Sequence, residues 1–199
     1  MQTNFGDPSA APERFGEAVR LVFRTEHFQL KWSHCSATAD YLSEFYAHLL
    51  APGRTATQVK EVSHSIAYLV NELVENAVKF RASGDVEVEA GVTETHFLLR
   101  IRNAISGETN ARFQSLLGVI TAGDPGDLLI ERIEANAEGH GDGSGLGLLT
   151  LMSDYNAGLS WSFQPAEGDD GRVLLETIAR LTIPEATAVP TPTKPFHGN

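Results

Sequence analysis

The stretch that decides the fold is NELVENAVKF, residues 71–80. It belongs to a longer segment, from about 57 to 80, in which apolar residues recur at the spacing of an amphipathic helix. Five of them fall in one stripe that we expect to face a core: Ile66, Val70, Leu73, Ala77 and Phe80. The sequence therefore predicts a long helix packed on the rest of the domain.

Three polar residues form a second, narrower stripe beside the apolar one. Glu72, Asn76 and Lys79 are four and then three residues apart, so with ~3.6 residues per turn their side chains lie within about 60° of one another. This arrangement puts a carboxylate, an amide and an ammonium at the edge of the buried surface, where a cleft can open. Two interpretations stay open from the spacing alone: a solvated helix face or a functional site.

Residues 139–148, GHGDGSGLGL, contain five alternating glycines ahead of an apolar segment that predicts a helix from about 146 to 156. Glycine lets the backbone approach a ligand closely, and the first N–H groups of a helix attract an anion. The segment therefore predicts a phosphate-binding loop, with a plain surface loop as the alternative. It matches neither G-x-x-x-x-G-K-[ST], since no glycine in the chain precedes a lysine, nor the dinucleotide pattern G-x-G-x-x-G.

The remaining periodicities predict one domain of helices and strands. Five segments have the alternation or composition of strands: 23–33, 85–92, 95–105, 158–165 and 171–183. Two further segments have helical spacing: 36–51 and, in two pieces, 108–138. The economical architecture is a two-layer α/β sandwich with the helices on one face of a mixed sheet. Residues 14–183 would form this domain, between a mobile N-terminus (1–13) and a flexible proline-rich tail (184–199).

Composition limits the function. The chain has 199 residues, 42% of them hydrophobic, and a formal net charge of −11. This charge argues against nucleic acid or an anionic membrane as a partner, because phosphates and lipid headgroups would be repelled. No apolar segment approaches the ~20 residues needed to span a bilayer, and the N-terminus lacks a secretory h-region. With Cys35 as the single cysteine, a soluble cytoplasmic protein without an internal disulfide is expected.

Together, ELVENAVKF at 72–80 and GSGLGL at 143–148 resemble two boxes of the GHKL (Bergerat) ATP-binding fold, the fold of gyrase, MutL and histidine kinases. The first looks like the N-box and the second like the second glycine box, in that order and with strands between them. The resemblance covers roughly residues 20–183. Without a histidine-bearing dimerisation domain, the chain is most similar to the anti-sigma-factor serine kinases of bacterial partner switching (the SpoIIAB and RsbW type) and to SiaB-like kinases.

This resemblance implies a site for ATP and Mg²⁺. Asn76 would hold Mg²⁺ between the phosphates, and Glu72 would be the catalytic residue that accepts the proton of a substrate hydroxyl. Lys79 would reach the phosphates. Four residues of the second glycine box would present their backbone to the phosphates: Gly143, Gly145, Leu146 and Gly147.

The first glycine box departs from the family pattern D-x-G-x-G. Residues 103–107 read NAISG, so Asn103 stands where an aspartate would accept from the adenine amino group. An asparagine oxygen can still accept that hydrogen bond, although without charge. Ile105 replaces the first glycine and adds bulk beside the base, while Gly107 matches the pattern.

Two functions from different classes follow. The first is a bacterial signalling regulator, an ATP-dependent serine/threonine protein kinase that phosphorylates a small antagonist protein and so releases or captures a partner, such as a signalling enzyme or a sigma factor. The alternative is a GHKL-fold protein-binding module without the chemistry. The intact Glu72, Asn76 and Lys79 favour the kinase, whereas Asn103 and Ile105 favour the module. A homodimer is among the assemblies that this class allows.

Overall fold

The computed structural model of the chain describes residues 2–10, 15, 18–24, 31–138, 145–166 and 171–187. The strands in these residues are β1 (Thr3–Gly6), β2 (Val19–Phe23), β3 (Val86–Val92), β4 (His96–Ile105), β5 (Gly158–Pro165) and β6 (Val173–Thr182). The helices are α1 (Trp32–Leu50), α2 (Ala56–Phe80), α3 (Gly107–Ile120), α4 (Pro125–Ala137) and α5 (Leu146–Ser153). A 3-10 turn, Pro8–Ala10, follows β1.

All neighbouring strands among the described residues run antiparallel, in the order β1-β5-β6-β4-β3-β2. The predicted mixed sheet is therefore wrong. β5 does run in the same direction as β4, because the three helices between them return the chain to the same end of the sheet. The β5–β6 hairpin, however, places β6 between the two, and its ladder with β4 extends from His96 opposite Thr182 to Ile105 opposite Val173.

The sheet has one apolar and one charged face, as the alternation along β3 illustrates. Val86 and Val88 are fully buried, whereas Glu87 between them faces the other way and pairs with Arg20 at 2.9 Å. One core joins the apolar face to α1, α2, α3 and α5, and α4 packs against it. The described chain is therefore a two-layer α/β fold with its helices on one side, as the sequence predicts.

The helix α2 forms where it is expected, because its start and its buried face are encoded locally. The Thr55 hydroxyl accepts from the Gln58 N–H at 3.2 Å, and the Gln58 side chain accepts from the Thr55 N–H at 2.9 Å, which makes a capping box. Phe80, expected in the core, is instead 45% exposed, since the helix ends at this residue. Seven residues of α2 at helical spacing are buried: Val62, Ile66, Leu69, Val70, Leu73, Val74 and Ala77.

The N-terminal segment is part of the sheet, in contrast to the mobile terminus expected from the sequence. β1 is the edge strand beside β5, with Thr3 opposite Phe163. After β1, Asp7 pairs with Arg180 at 3.3 Å, and Ala10 is fully buried. Amino-acid composition does not predict this strand, because an edge strand can form with little more than backbone hydrogen bonds to its neighbour.

The start of the proline-rich tail also contacts the domain. Thr187 donates both its N–H and its hydroxyl to the Gly53 carbonyl, each at 2.8 Å. Arg54 donates to the carbonyls of Pro184 and Leu50, each at 2.7 Å. In the part that the structure describes, the expected flexible tail is therefore bonded to the connection between α1 and α2.

Candidate functional site

Glu72 of α2 and Gly147 of α5 bring the two sequence motifs together. A Cβ atom on Gly147 would overlap the Glu72 carboxylate, so glycine leaves room for that carboxylate in its observed position. Leu146, the first residue of α5, precedes this contact directly. Two of the predicted site residues, Glu72 and Gly147, thus meet where α2 passes the N-terminus of α5, and we call this place the α2–α5 junction.

The Glu72 carboxyl is half-buried at the α2–α5 junction. Burial raises its pKa above the ordinary value of 4.5, and the negative charge of Glu75 raises it further. Its side chain makes no hydrogen bond to any residue that the structure describes. A carboxylate with a raised pKa and available acceptor oxygens is suited to take a proton from a ligand or a partner.

Tyr68 attaches α5 to α2 one turn before Glu72. Its ring stacks on that of Tyr155, with centroids 4.8 Å apart and planes 9° from parallel. The Thr150 side chain interacts with its hydroxyl; burial raises the pKa of Tyr68, and the Glu72 charge adds to the rise. These contacts fix the spacing of the two helices. Sequence reasoning missed them, because no periodic pattern relates residues so far apart.

The other two residues of the polar stripe have different surroundings. Asn76, one turn after Glu72, is half-buried, and its side chain has no hydrogen bond to a described residue. Its amide oxygen is a ligand type that Mg²⁺ accepts. Lys79 is exposed, and its Nζ lies 4.9 Å from the centroid of the Phe80 ring. The structure therefore places Glu72 at the junction, Asn76 one turn further along α2, and the Lys79 ammonium at the end of the helix.

The start of α5 has the geometry of an anion site. Gly145 is its N-cap, with φ of 82° and ψ of 0°, a left-handed conformation that glycine adopts without strain. The N–H groups of Leu146 and Gly147 follow in the first turn, where a helix offers them no internal carbonyl partner. Such N–H groups bind phosphates in many proteins. Gly143, also predicted here, lies outside the described residues.

Arg132 of α4 adds a positive charge that the sequence did not predict. Its Nη1 lies 3.2 Å from the position of a Cβ atom built on Gly145, so the guanidinium is beside the N-cap of α5. A guanidinium next to a helix N-terminus strengthens the attraction for an anion. The sequence shows an arginine in the helical insert before the glycines, but its distance from them along the chain does not predict that it contacts them.

Asn103 is almost fully buried in β4. It is 3% exposed and lies between the core residues Ile101 and Ile105, so strand alternation directs its side chain to the helical layer. Asn103 also borders a groove of about 420 Å³ on the charged face of the sheet. The side chains that point into that groove, however, are those of the residues that alternate with Asn103 along the strand. Its Nδ2 has no hydrogen-bond partner among the described residues. A buried amide N–H without a partner is costly, and an acceptor from a ligand would satisfy it.

The other predicted residues of the first glycine box are packed. Ile105 is fully buried opposite Val173 in the β4–β6 ladder. Gly107 begins α3. A Cβ atom there would approach the Gly171 carbonyl to 3.5 Å, an ordinary contact, so packing does not require glycine at this position.

A cleft of about 490 Å³ lies elsewhere, between the N-terminal segment, the α3–α4 turn and the end of α5. Asp7 and Arg180 line it, together with Asn156, and none of the predicted site residues does. Because Asp7 and Arg180 pair with each other there, their charges already have a role in the fold. The chemistry of the α2–α5 junction makes it the better candidate.

No protein-family model matches this chain, and no curated protein matches it either. Within the described ranges, no group of three or more histidine, cysteine, aspartate or glutamate side chains is placed to hold a metal ion. None of the helices in that part of the chain combines the length and the hydropathy of a bilayer span. The function is therefore argued from the site itself.

Proposed function

We propose that this chain is an ATP-binding regulator with the GHKL fold and the activity of a serine/threonine protein kinase. The observation that carries the proposal is the contact between the Glu72 carboxylate and the start of α5 at Gly147. It joins the two segments that resemble the N-box and the second glycine box, which a GHKL nucleotide site requires side by side. The two-layer architecture is compatible with that fold.

The residues at the α2–α5 junction suit a nucleoside triphosphate with Mg²⁺. The first N–H groups of α5 and the Arg132 guanidinium beside them offer donors and positive charge to phosphate oxygens. Gly147 has no side chain and so leaves room beside these N–H groups for the Glu72 carboxylate. Asn76 offers an amide oxygen to Mg²⁺, which readily keeps phosphate oxygens and waters as its other ligands.

Glu72 is the residue that would accept a proton. Glu72 would orient a serine or threonine hydroxyl of the substrate and take its proton, while the hydroxyl oxygen bonds to the terminal phosphorus of ATP and ADP leaves. The raised pKa of this carboxyl supports the role, because a general base is most effective when its pKa approaches the working pH.

The proposed substrate is a small antagonist protein of a bacterial partner-switching system. Its phosphorylation would release or capture a second protein, either a signalling enzyme or a sigma factor. This part of the proposal rests on the resemblance in sequence, as do a cytoplasmic location and a homodimeric assembly. The net charge of −11 agrees with a protein substrate and argues against nucleic acid.

A second candidate is a protein-binding module of the same fold without the chemistry. The buried Ile105 favours it, because this side chain occupies the position of a glycine that leaves room for the base in the family. Lys79 favours it as well, since its ammonium lies over Phe80 instead of the junction. The two candidates differ in one measurable property, which is Mg²⁺-dependent binding of ATP.

Calorimetric titration of the full chain with ATP, with and without Mg²⁺, separates the two candidates. We expect heat that depends on Mg²⁺, and we expect Asn76→Ala to lose most of that dependence, because the metal loses a ligand. Asn71→Ala is the matched control, since Asn71 lies on the same helix but bonds to Glu75 at 2.8 Å. No heat and no thermal shift at millimolar ATP would leave only the binding module. Wild-type affinity in Asn76→Ala would remove the metal role of this residue.

A further inference from the structure

One side of α1 presents apolar side chains to solvent. Tyr41, Phe45 and Leu49 follow one another at intervals of four residues, so they line one side of the helix. Each of them is between 40 and 49% exposed, whereas their neighbours Leu42 and Tyr46 are buried in the core. We call these three residues the α1 strip. A contiguous apolar surface of this kind marks a place where another segment can pack.

The two aromatic rings of the α1 strip are held by the domain beneath them. The rings of Tyr41 and Phe45 have centroids 6.1 Å apart. Phe45 also packs edge to face on the buried ring of Tyr46, at 5.1 Å, and the Tyr46 hydroxyl donates to the Ala90 carbonyl of β3. Aromatic surfaces that are already in place bind proline-rich segments well, because a polyproline II helix loses little conformational entropy when it docks.

The chain itself carries a proline-rich segment, and the described residues lead to it from the end of α1. Thr187 bonds to the carbonyl of Gly53, which lies four residues after Leu49. A Cβ atom on Gly53 would approach the Ala186 side chain to 2.9 Å, so the two segments are in close contact. Residues 188–199 therefore begin beside the C-terminal end of the helix that bears the α1 strip.

The composition of this tail complements the α1 strip. Residues 188–199 read AVPTPTKPFHGN, which contains the spacing P-x-x-P at Pro192 and Pro195. The segment has no acidic residue and carries Lys194, although the whole chain has a net charge of −11. Asp40 and Glu44 are exposed on α1 next to Tyr41 and Phe45. The tail thus combines prolines for the aromatic rings with a cation for the adjacent carboxylates.

The tail is long enough to cover the α1 strip. From Leu49 back to Tyr41 the helix rises about 12 Å, at ~1.5 Å per residue. Phe196 follows Thr187 by nine residues, which span about 28 Å in a polyproline II conformation. A tail that runs back along α1 therefore passes all three residues of the strip before it reaches Phe196.

We propose that the α1 strip is a docking surface for proline-rich segments and that residues 188–196 of the same chain occupy it. The prolines pack on Tyr41 and Phe45, and the Lys194 ammonium lies near Glu44. Any other segment that binds the α1 strip must then displace the tail, so the tail controls access to this side of the domain. None of the residues assigned to the nucleotide site lies on α1 or in the tail, and the two proposals can fail independently.

A nitroxide label at the end of the tail tests the docking in the full chain. Asn199→Cys provides the attachment point, since Cys35 is buried and burial raises the pKa of its thiol. We expect the label to broaden the amide NMR signals of residues 41–49 selectively. The signals around Val119 should stay sharp, because this exposed residue belongs to α3, which contacts β1 at the far edge of the sheet from β2. Equal broadening in both regions, or none at 41–49, would overturn the proposal.

Two variants in the labelled chain identify the contacts. Tyr41→Ser should abolish the selective broadening, whereas Ile133→Ser, which removes an equally exposed apolar residue from α4, should keep it. The double substitution Pro192→Ser and Pro195→Ser should abolish it as well, because the polyproline II conformation is lost. These two prolines lie outside the domain, so the double variant decides the question if Tyr41→Ser does not fold. Selective broadening that persists in it would contradict recognition of the prolines.

A mixed sample separates docking within one chain from docking between two copies. Isotope-labelled chain without the nitroxide is combined with nitroxide-labelled chain at natural isotope abundance. We expect sharp signals at residues 41–49 in this mixture, because each tail binds its own α1. Broadening of these signals would show that the tail of a second copy occupies the α1 strip, and it would overturn docking within the chain.

Discussion

The Glu72 carboxylate occupies the space that a methyl group on Gly147 would fill. The overlapping atoms belong to the end of a flexible side chain, so the glycine determines where the carboxylate sits more than whether the protein folds. A substitution at this position can therefore separate the function of the α2–α5 junction from its stability.

Gly147→Ala should leave the protein folded and displace the carboxylate. Alanine favours a helix over glycine by ~1 kcal/mol, and this gain offsets the cost of turning Glu72 away, so the free energy of unfolding should change by less than about 1 kcal/mol. Affinity for Mg²⁺–ATP should fall at least about tenfold, because the methyl group pushes the Glu72 carboxylate away from its place in the site. Urea denaturation and calorimetry measure the two effects.

Gly118→Ala is the matched control for this substitution. Gly118 lies in α3, and a Cβ atom there meets nothing within 4 Å. This variant should gain stability and keep its ATP affinity. An equal loss of affinity in both variants would show that the contact with Glu72 is not the cause.

Glu72→Gln should stabilise the protein at neutral pH but not in acid. Burial, followed by Glu75, raises the pKa of the Glu72 carboxyl in the folded state above 4.5. Between that value and the raised one, the folded protein binds a proton that the unfolded chain releases. Stability therefore falls as pH rises through this window and stays lower above it. The gain from glutamine should grow from pH 4.5 to pH 8, as measured by urea midpoints.

Glu61→Gln provides the comparison, because Glu61 is an exposed residue of the same helix. This variant measures what the loss of a carboxyl from α2 does without burial. If Glu72→Gln is less stable than the wild type at pH 8, then the ionised Glu72 carboxylate does not destabilise the folded protein, and the prediction is wrong.

Arg132→Gln should weaken Mg²⁺–ATP binding about tenfold, because a charge-assisted bond to phosphate is lost beside the N-cap of α5. The dependence of the affinity on salt should become shallower, since one positive charge is removed from the site. Arg112→Gln, at an exposed position of α3, is the control. Similar affinities for the two variants would exclude Arg132 from the site.

Arg54→Ala should lower the free energy of unfolding by about 1.5–3 kcal/mol, because charged donors to the Leu50 and Pro184 carbonyls are lost. Arg20→Ala, which removes a largely exposed ion pair with Glu87, should cost about 0–1 kcal/mol. Urea unfolding of both variants, followed by tryptophan fluorescence, compares them. Equal costs would mean that the two bonds of Arg54 together stabilise the fold no more than the exposed ion pair of Arg20 does.

The sequence predicts the helices of this fold better than the edges of its sheet. The capping box at Thr55 and the break of the insert before Pro125 depend on a few neighbouring residues, and the structure has α2 and the two-piece insert where they are expected. The pairing of β1 with β5 depends on partners far along the chain. The position of β6 between β4 and β5 depends on how a hairpin docks. No local pattern encodes either arrangement.

For the candidate site, helical spacing predicts the residues that α2 contributes but not those that other helices contribute. The four-residue interval puts Glu72 and Asn76 on one side of the helix, where the structure has them. Lys79 follows near the helix end, and its long side chain lies over Phe80 instead. Arg132 lies beside the N-cap of α5 but belongs to α4. The angle between these two helices depends on the packing of the whole helical layer, which the local sequence does not encode. The glycines before Gly145 lie outside the described residues.

The edge position of β1 has a consequence for the order of folding during synthesis. The Gln2 side chain donates to the hydroxyl of Ser162, across 160 positions of sequence. At translation rates of ~5–20 residues per second, the first strand would leave the ribosome roughly 8–30 s before its partner is made. Throughout that interval its backbone groups have only water or the wrong neighbours to bond. β1 therefore emerges long before β5 but joins the sheet only after β5 is made, and nascent chains stalled before residue 158 would lack that edge.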